Sequence, residues 1–586
     1  MKLHDLSALP KPIAQALSNE KLFTRALFER PESLSHLLPY EEFIESTGHF
    51  RHKDGSLGAV FEAECIEHEP MTADQIIFQV DALKSWFRLP ENCVLQVLFD
   101  QAPISSLDPE FSRVTAKYPG GHGVSRKLFD TRVELIRQAC LTPGPLTPMR
   151  RRTLVSIRYF PEVATTRAAK DLLARGEVTL YKEMKAFVSE VRAFEQTLLT
   201  FEKNSKIKLT RLGAAEVLDI LRRFFNPKTS YKRNFAGYNP SLQLSDQILY
   251  NAPTLDYAGI TREGIKTRTL TLKTSPQYAY PGGMAYFLKL PFPFKLSLCF
   301  SFPSRQKVKA FFDLKEFFLQ NTPSAKARRQ REEVLAVQDQ LARDDRCLHL
   351  TFCVIIEGET DEILDSRVRD IVNVFHNDLE CETIQEDDIG LGLCLNSLPL
   401  HYNPRSDYST QRAIRILLSD ATRFIPVFDS FRGLGDPLQL YLSRENNLVR
   451  FSLTENETSN HTVVLADSGS GKSAFIIDCI QAAKRRTPEP LVFVIDKKSS
   501  YAMVAEYFDA DLTVFRPSEK SPFSPFRGTP DDEKIAFLTT LITTAVRLTN
   551  PAFALDSTHT AAIGKSIRLA YQKKSIQAKT GYHDGR

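Results

Sequence analysis

The stretch HTVVLADSGSGKSAFIIDCI, residues 461–480, constrains this chain more than any other. HTVVLA is an apolar run of strand type, and SAFIIDCIQAAKRR carries its apolar residues at helical spacing. Between them lie Asp467, Ser468, Gly469, Ser470, Gly471, Lys472 and Ser473. A strand, a glycine-bearing turn and a helix start, in that order, make an anion cradle. Glycine lets backbone N–H groups turn inward, because no Cβ blocks the approach of a phosphate. The helix N-terminus adds free amides and the positive end of its dipole. A lysine then neutralises the terminal phosphates, and a following hydroxyl completes a Mg²⁺ shell. The pattern therefore nominates Ser468, Gly469, Ser470, Gly471, Lys472, Ser473 and Ala474 as nucleotide-binding residues. Ser473 is the candidate metal ligand, and ATP with Mg²⁺ the candidate cofactor. The competing reading is an ordinary glycine-rich turn.

One position departs from the strict pattern, Ala466 standing where the first glycine is usual. That residue ends a strand, so a negative φ suffices and alanine is tolerable. Asp496 closes the next apolar run, LVFVID (491–496), and is the candidate catalytic acid beside Lys472. At the C-terminal end of the second strand of a βαβ unit it could reach Mg²⁺ through water. Alternatively it is a turn residue that caps the segment DKKSSY. A hydrolysing phosphate-loop enzyme also needs an apolar strand ending in an acid. The one later candidate, AFALD (552–556), comes after Pro551, and Asp556 reads better as the N-cap of the helix STHTAAIGKSIRLAYQKK.

With 586 residues the chain exceeds a single ordinary core, and two to four domains are expected. The formal net charge of +5 permits an acidic partner without demanding one. Nine cysteines are scattered with no C-x-x-C pair, which reads as reduced structural thiols in a cytosolic protein. The N-terminus lacks a signal-peptide core. No run reaches the ~18 apolar residues of a membrane span. The nearest, 284–302, is broken by Lys289, Lys295 and two prolines, so the chain reads as not integral to a membrane.

The region before the phosphate loop reads as α+β. GHFRHKDGSLGAVFEAECI (48–66) is a hairpin around Lys53-Asp54-Gly55-Ser56. Helices are predicted at about 73–87, 124–140 and 178–201, another running to Phe225, and a charged one at 324–345. Strands are predicted at 92–100 and 152–160, within 268–302, and at 347–356. Basic-aromatic clusters at RRFFNPKTSYKR (222–233) and around 328–331 each read as a charged helix face or a capped helix end rather than a DNA site.

The ordered set of segments resembles the TraC/VirB-type ATPases of conjugative type IV secretion systems, close to the TraC branch. LSHLLPYEEFIESTGHFRHKDGSLGAVFEA (34–63) looks like that branch's entry and hairpin, followed by FLKLPFPFKLSLCFSF (287–302) and LCLNSLPL (393–400). DPLQLYLSRENNLVRFSLTENETSNHTVVLADSGSGKS (436–473), VIDKKSSY (494–501) and SPFSPF (521–526) look like its later segments. Departures are Ala466, Ser524 and Arg444-Glu445. The element pattern reads as α/β overall: a leader (1–30), an α+β domain (31–255), a second α+β subdomain (256–400) and a link (401–435) rich in turn formers. The resemblance implies that 31–255 docks and that 436–586 is a partial RecA-like ATPase domain. It also implies a hexameric cytoplasmic motor, peripheral to the inner membrane, whose partners are other secretion components there. Family members typically continue past position 586 with an acidic strand and an arginine for the neighbouring subunit, so a C-terminal truncation with negligible hydrolysis is expected. Two other readings stay open: a hexameric DNA translocase, for which the sequence offers no basic aromatic channel, and a docking remnant that no longer hydrolyses ATP.

Overall fold

The computed structural model describes residues 34–104, 123–141, 144, 147–161, 177–232, 235–273, 281–343, 345–433, 438–453, 460–486, 490–497, 499–516 and 524–572. The expected leader 1–30 and residues 521–523 lie outside them. The chain divides into two compact units, Met1–Leu465 with Asp478–Leu491, and Ala466–Ile477 with Val492–Arg586.

The strands of the first unit are β1 (Tyr40–Ile44), β2 (His49–His52), β3 (Leu57–Ala63), β4 (Ile66–Glu67), β5 (Cys93–Pro103), β6 (Met149–Tyr159), β7 (Leu209–Leu212), β8 (Thr254–Leu255), β9 (Ile260–Arg262), β10 (Ile265–Leu272), β11 (Phe294–Ser301), β12 (Cys347–Gly358), β13 (Thr383–Gln385), β14 (Ile414–Leu417), β15 (Phe428–Asp429), β16 (Gln439–Leu442) and β17 (Leu448–Phe451). Thirteen of them form one sheet in the order β1-β2-β3-β6-β5-β11-β12-β10-β9-β8, with β7 on β3, β14 on β12 and β13 on β10. Every pairing in that sheet is antiparallel. The strands β15 and β4 form a separate small ribbon, as do β16 and β17. The helices of this unit include α1 (Ala73–Ala82), α2 (Gly123–Leu141), α3 (Glu177–Asn204), α4 (Ala214–Phe225), α5 (Arg305–Gln320), α6 (Ala325–Ala342) and α7 (Asp361–Asn373).

Period-two alternation explains why the sheet is covered on both faces. In β11, FKLSLCFS, the residues Phe294, Leu296, Leu298 and Phe300 join a core with Trp86, Phe87, Phe287 and Phe201. The opposite face packs Cys353, Ile355 and Leu98 against Leu218 and Leu221 of α4 and against Leu393–Leu400. Lys295 points to that second side and is held by Asp100 (2.9 Å) and Glu357 (3.1 Å), with Arg262 also on Glu357 (3.2 Å). Burial alone would raise the Glu357 carboxyl, but Lys295 and Arg262 outweigh it and hold it down at about 2.

The predicted hairpin is present, β2 and β3 joined through Lys53–Ser56 with Gly55 at φ 80°. Gly58 is needed for another reason, since a Cβ there would meet Leu400 Cδ2 at 2.7 Å. Arg222, at the head of the 222–233 cluster, is internal: it is buried and donates to the Gln247 carbonyl (2.7 Å), with its guanidinium over the Tyr250 ring. All nine cysteines are thiols outside any disulfide, eight buried and Cys65 half-buried. No helix among the described residues is long and apolar enough to cross a membrane.

The second unit contains the phosphate loop, the start of α8 (Lys472–Ala483), α9 (Ala502–Tyr507), α10 (Asp532–Thr549) and α11 (Ser557–Gln572). Ile535, Leu538 and Ile567 join α10 to α11. Here the structure departs from expectation. The runs 461–466 and 491–496, predicted as adjacent strands of a parallel sheet, belong to no ladder among the described residues. An apolar run becomes a strand only when another backbone pairs with it, and a parallel neighbour must arrive through a long crossover. The resulting architecture is mixed α/β, dominated by a large antiparallel sheet.

Candidate functional site

The loop is built by two glycines in the left-handed region, Gly469 at φ 85° and Gly471 at φ 97°. A Cβ at either would meet nothing within 4 Å, so it is the backbone conformation, not crowding, that favours glycine. The Ser470 amide and hydroxyl both donate to the Asp467 carbonyl, at 3.3 and 2.7 Å, and tighten the turn. Phe475 N–H then reaches the Gly471 carbonyl (2.9 Å) as α8 starts. Amides of a first helical turn have no intrahelical acceptor, so they remain for a ligand. Ser468 through Lys472 and Ala474 are exposed, Ser473 is half-buried, and Ala466 keeps its φ out of the left-handed region. The seven candidates thus lie together on one solvent-open turn at the head of a helix of 12 residues.

Asp496 is exposed, and its carboxylate accepts the Tyr501 amide (3.2 Å) just ahead of α9. That bond is the capping role that competed with catalysis in the sequence. Asp556 likewise accepts the His559 amide (2.8 Å) at the start of α11, and that bond holds its carboxyl below the usual range. It is an N-cap, as its position in the sequence indicated. An apolar groove of about 590 Å³ in this unit is lined by Ile542, Val546, Phe553, His559 and Ile563. It offers no convergent charged groups. Among the described residues no cluster of His, Cys, Asp or Glu has a metal-holding arrangement.

In the first unit, Asp478 is gripped from three sides. Arg132 of α2 binds it through both guanidinium nitrogens (2.9 and 2.8 Å), Gln439 donates at 2.7 Å and Tyr441 at 2.5 Å. Burial lowers the tendency of Arg132 to stay charged, but the hydrogen bonds and charge of Asp478 overcome this and raise it. Burial, reinforced by Asp478, also pushes the Tyr441 hydroxyl well up and the Cys479 thiol to about 11. In the next turns of the chain, Arg485 donates to Gln439 Oε1 (3.2 Å) and stacks on Phe129 of α2. Sequence inspection missed this cluster, because Arg132 and Asp478 are 346 residues apart and neither belongs to a motif.

The comparison that decides the family is a match of the TraC protein family model to residues 34–402. The chain belongs to the TraC family. It is therefore a TraC-type conjugative transfer protein. The TraC match spans the entire thirteen-stranded sheet except β14 and stops before the phosphate loop. No curated protein matches the chain.

Proposed function

We propose that this TraC-family chain is the ATP-binding motor component of a conjugative type IV secretion machine, energising pilus assembly or substrate transfer. The observation that carries the reading is the exposed turn 467–474, with glycines in the left-handed region directly before the helix at Lys472. The amides of Gly469 to Ala474 would hold the phosphates, Lys472 would neutralise them, and Ser473 would complete the Mg²⁺ shell. Bound ATP supplies the phosphoryl-transfer free energy. A RecA-like arrangement around the loop, hexameric self-association and partners at the inner membrane complete the proposal. DNA is left out, since no basic, aromatic-lined channel is read from the sequence and Arg222, at the head of the 222–233 cluster, is engaged internally.

The test is titration of the full chain with a fluorescent ATP analogue, with and without Mg²⁺. Saturable binding that falls tenfold or more in Lys472→Ala, at unchanged melting temperature, is expected. Equal binding by wild type and variant overturns the reading. A second reading, binding without turnover, is favoured by the Asp496 carboxylate being engaged by the Tyr501 amide. If Asp496→Asn abolishes a measured ATPase rate while binding persists, Asp496 is the acid and this second reading fails.

A further inference from the structure

The cations around residue 328 lie on a charged helix face, yet their placement is more specific than that. α5 and α6 form an antiparallel hairpin, closed by a pair between Glu316 and Arg331 (3.2 Å) and by Gln338 donating to Asp313 (3.1 Å). Its inner face buries Phe312 and Val334 with Cys347. Toward the tip, beyond the Glu316–Arg331 pair, residues 317–330 contain Lys326, Arg328 and Arg329 and no acid. The same tip exposes two aromatic rings, Phe317 at 60% and Phe318 at 61%, set edge to face at 5.9 Å. Leu314, one turn back, is 56% exposed.

The backbone at this end is also prepared for an apolar environment. The last carbonyls of a helix normally need water. Here the Phe317 carbonyl accepts from the Asn321 side chain (2.8 Å) and the Phe318 carbonyl from the Thr322 hydroxyl (2.8 Å). Ser324 in turn caps α6 by accepting the Ala327 amide (3.0 Å). The two carbonyls beneath the exposed rings are thus satisfied by the loop itself.

We propose that the tip of this hairpin docks on an anionic lipid surface, Phe317 and Phe318 entering the headgroup boundary while Lys326, Arg328 and Arg329 meet lipid phosphates. The proposal rests on the reading that the chain works at a membrane-bound secretion machine, and supplies the surface by which it does so. Aromatic rings beside cations, with no acid among them, are the chemistry of interfacial binding. A protein partner fits less well: the ends of two helices about 10 Å across offer roughly 200 Å², against about 800 Å² per side in a stable complex.

The chain has a single tryptophan, Trp86, which is buried and out of reach of lipid, so the change in emission that vesicles cause in Phe318→Trp over wild type reports the tip. The full chain carrying Phe318→Trp is mixed with vesicles of phosphatidylglycerol and phosphatidylcholine in equal parts, and with phosphatidylcholine alone. The expected result is a blue shift, with quenching by brominated lipid, only in the anionic vesicles. Co-sedimentation with them should weaken by on the order of tenfold or more in Arg328→Glu/Arg329→Glu and in Phe317→Ser/Phe318→Ser. Unmoved tryptophan emission, or sedimentation indifferent to both double variants, overturns the proposal. So does a Phe317→Ser/Phe318→Ser chain that keeps its vesicle binding but changes its self-association, which would make the tip a protein contact. ATP-analogue binding on the same samples is expected unchanged. Its failure alongside intact vesicle binding would remove the motor reading and leave the lipid surface standing.

Discussion

The runs FKLSLCFS (β11) and LVFVID (491–496) are both strand-like and apolar, and they end in opposite environments. Phe294 is fully buried between β5 and β12, whereas Phe493 is 89% and Ile495 103% exposed. Their patterns already differ. β11 alternates, interposing Lys295, Ser297 and Cys299, and an alternating strand needs each face covered by different chemistry. LVFVI does not alternate, and a continuous apolar run asks for burial on both faces and pairing on both edges. Composition states what a strand wants; only pairing delivers it.

Acid is expected to have the largest effect on the sheet-bearing unit. His52 and His401 are depressed to about 3 and about 4, by burial and then by the nearby charge of Arg158. An unfolded histidine takes a proton near pH 6.5, so below that pH the unfolded chain binds protons the folded one refuses. Stability should be complete above about pH 6.5 and fall by several kcal/mol, in order of magnitude, as pH drops through about 4 toward 3. Glu357, held at about 2, loses its contribution in the same direction, from its unfolded value near 4.5 downward. Melting temperatures across pH, with His52→Gln/His401→Gln flattening the slope, check this.

Next, Phe294→Ala should cost about 3–5 kcal/mol through transfer and cavity terms, while Phe493→Ser should change urea unfolding by no more than about 0.5 kcal/mol. A large loss from Phe493→Ser would show the run to be buried and erase the contrast. Glu357→Gln leaves Arg262 facing a neutral partner and Lys295 with Asp100 alone, and a loss of about 3 kcal/mol is expected by the same measurement. Smallest, Asp496→Asn should shift the melting point by the equivalent of about 0.5 kcal/mol or less, since an asparagine oxygen still accepts the Tyr501 amide.

Local chemistry was legible in the sequence. The Lys53–Ser56 turn, the charged helix realised as α6 and the Asp556 cap each depend on residues a few positions apart. The burial of Arg222 was not legible, because a charged helix face or a capped helix end was expected at 222–233. Nor were pairings. Nothing in CVLQVLFD names FKLSLCFS as its neighbour, because a period of two fixes the face and leaves the partner open. For the same reason nothing local announces that β11 hydrogen-bonds β5, although some 190 residues, 104–293, separate them. In the candidate site, the loop was legible because its glycines, lysine and serine are contiguous; Arg132, Gln439 and Tyr441 around Asp478 were not, being brought together only by the fold.

The place of β5 in the sheet sets a schedule for synthesis. Its one edge pairs β6, which emerges within some tens of residues, but its other edge pairs β11, with Ser297 opposite Leu98. At roughly 5–20 residues per second, a ribosome takes on the order of 10–40 s to bring the second partner out. Throughout that interval the nascent chain presents an apolar strand with a bare hydrogen-bonding edge, the form most prone to pair with the wrong chain. The yield of this protein in a cell should therefore depend on what shields that edge during translation, and slowing elongation between β6 and β11 should lower the soluble fraction.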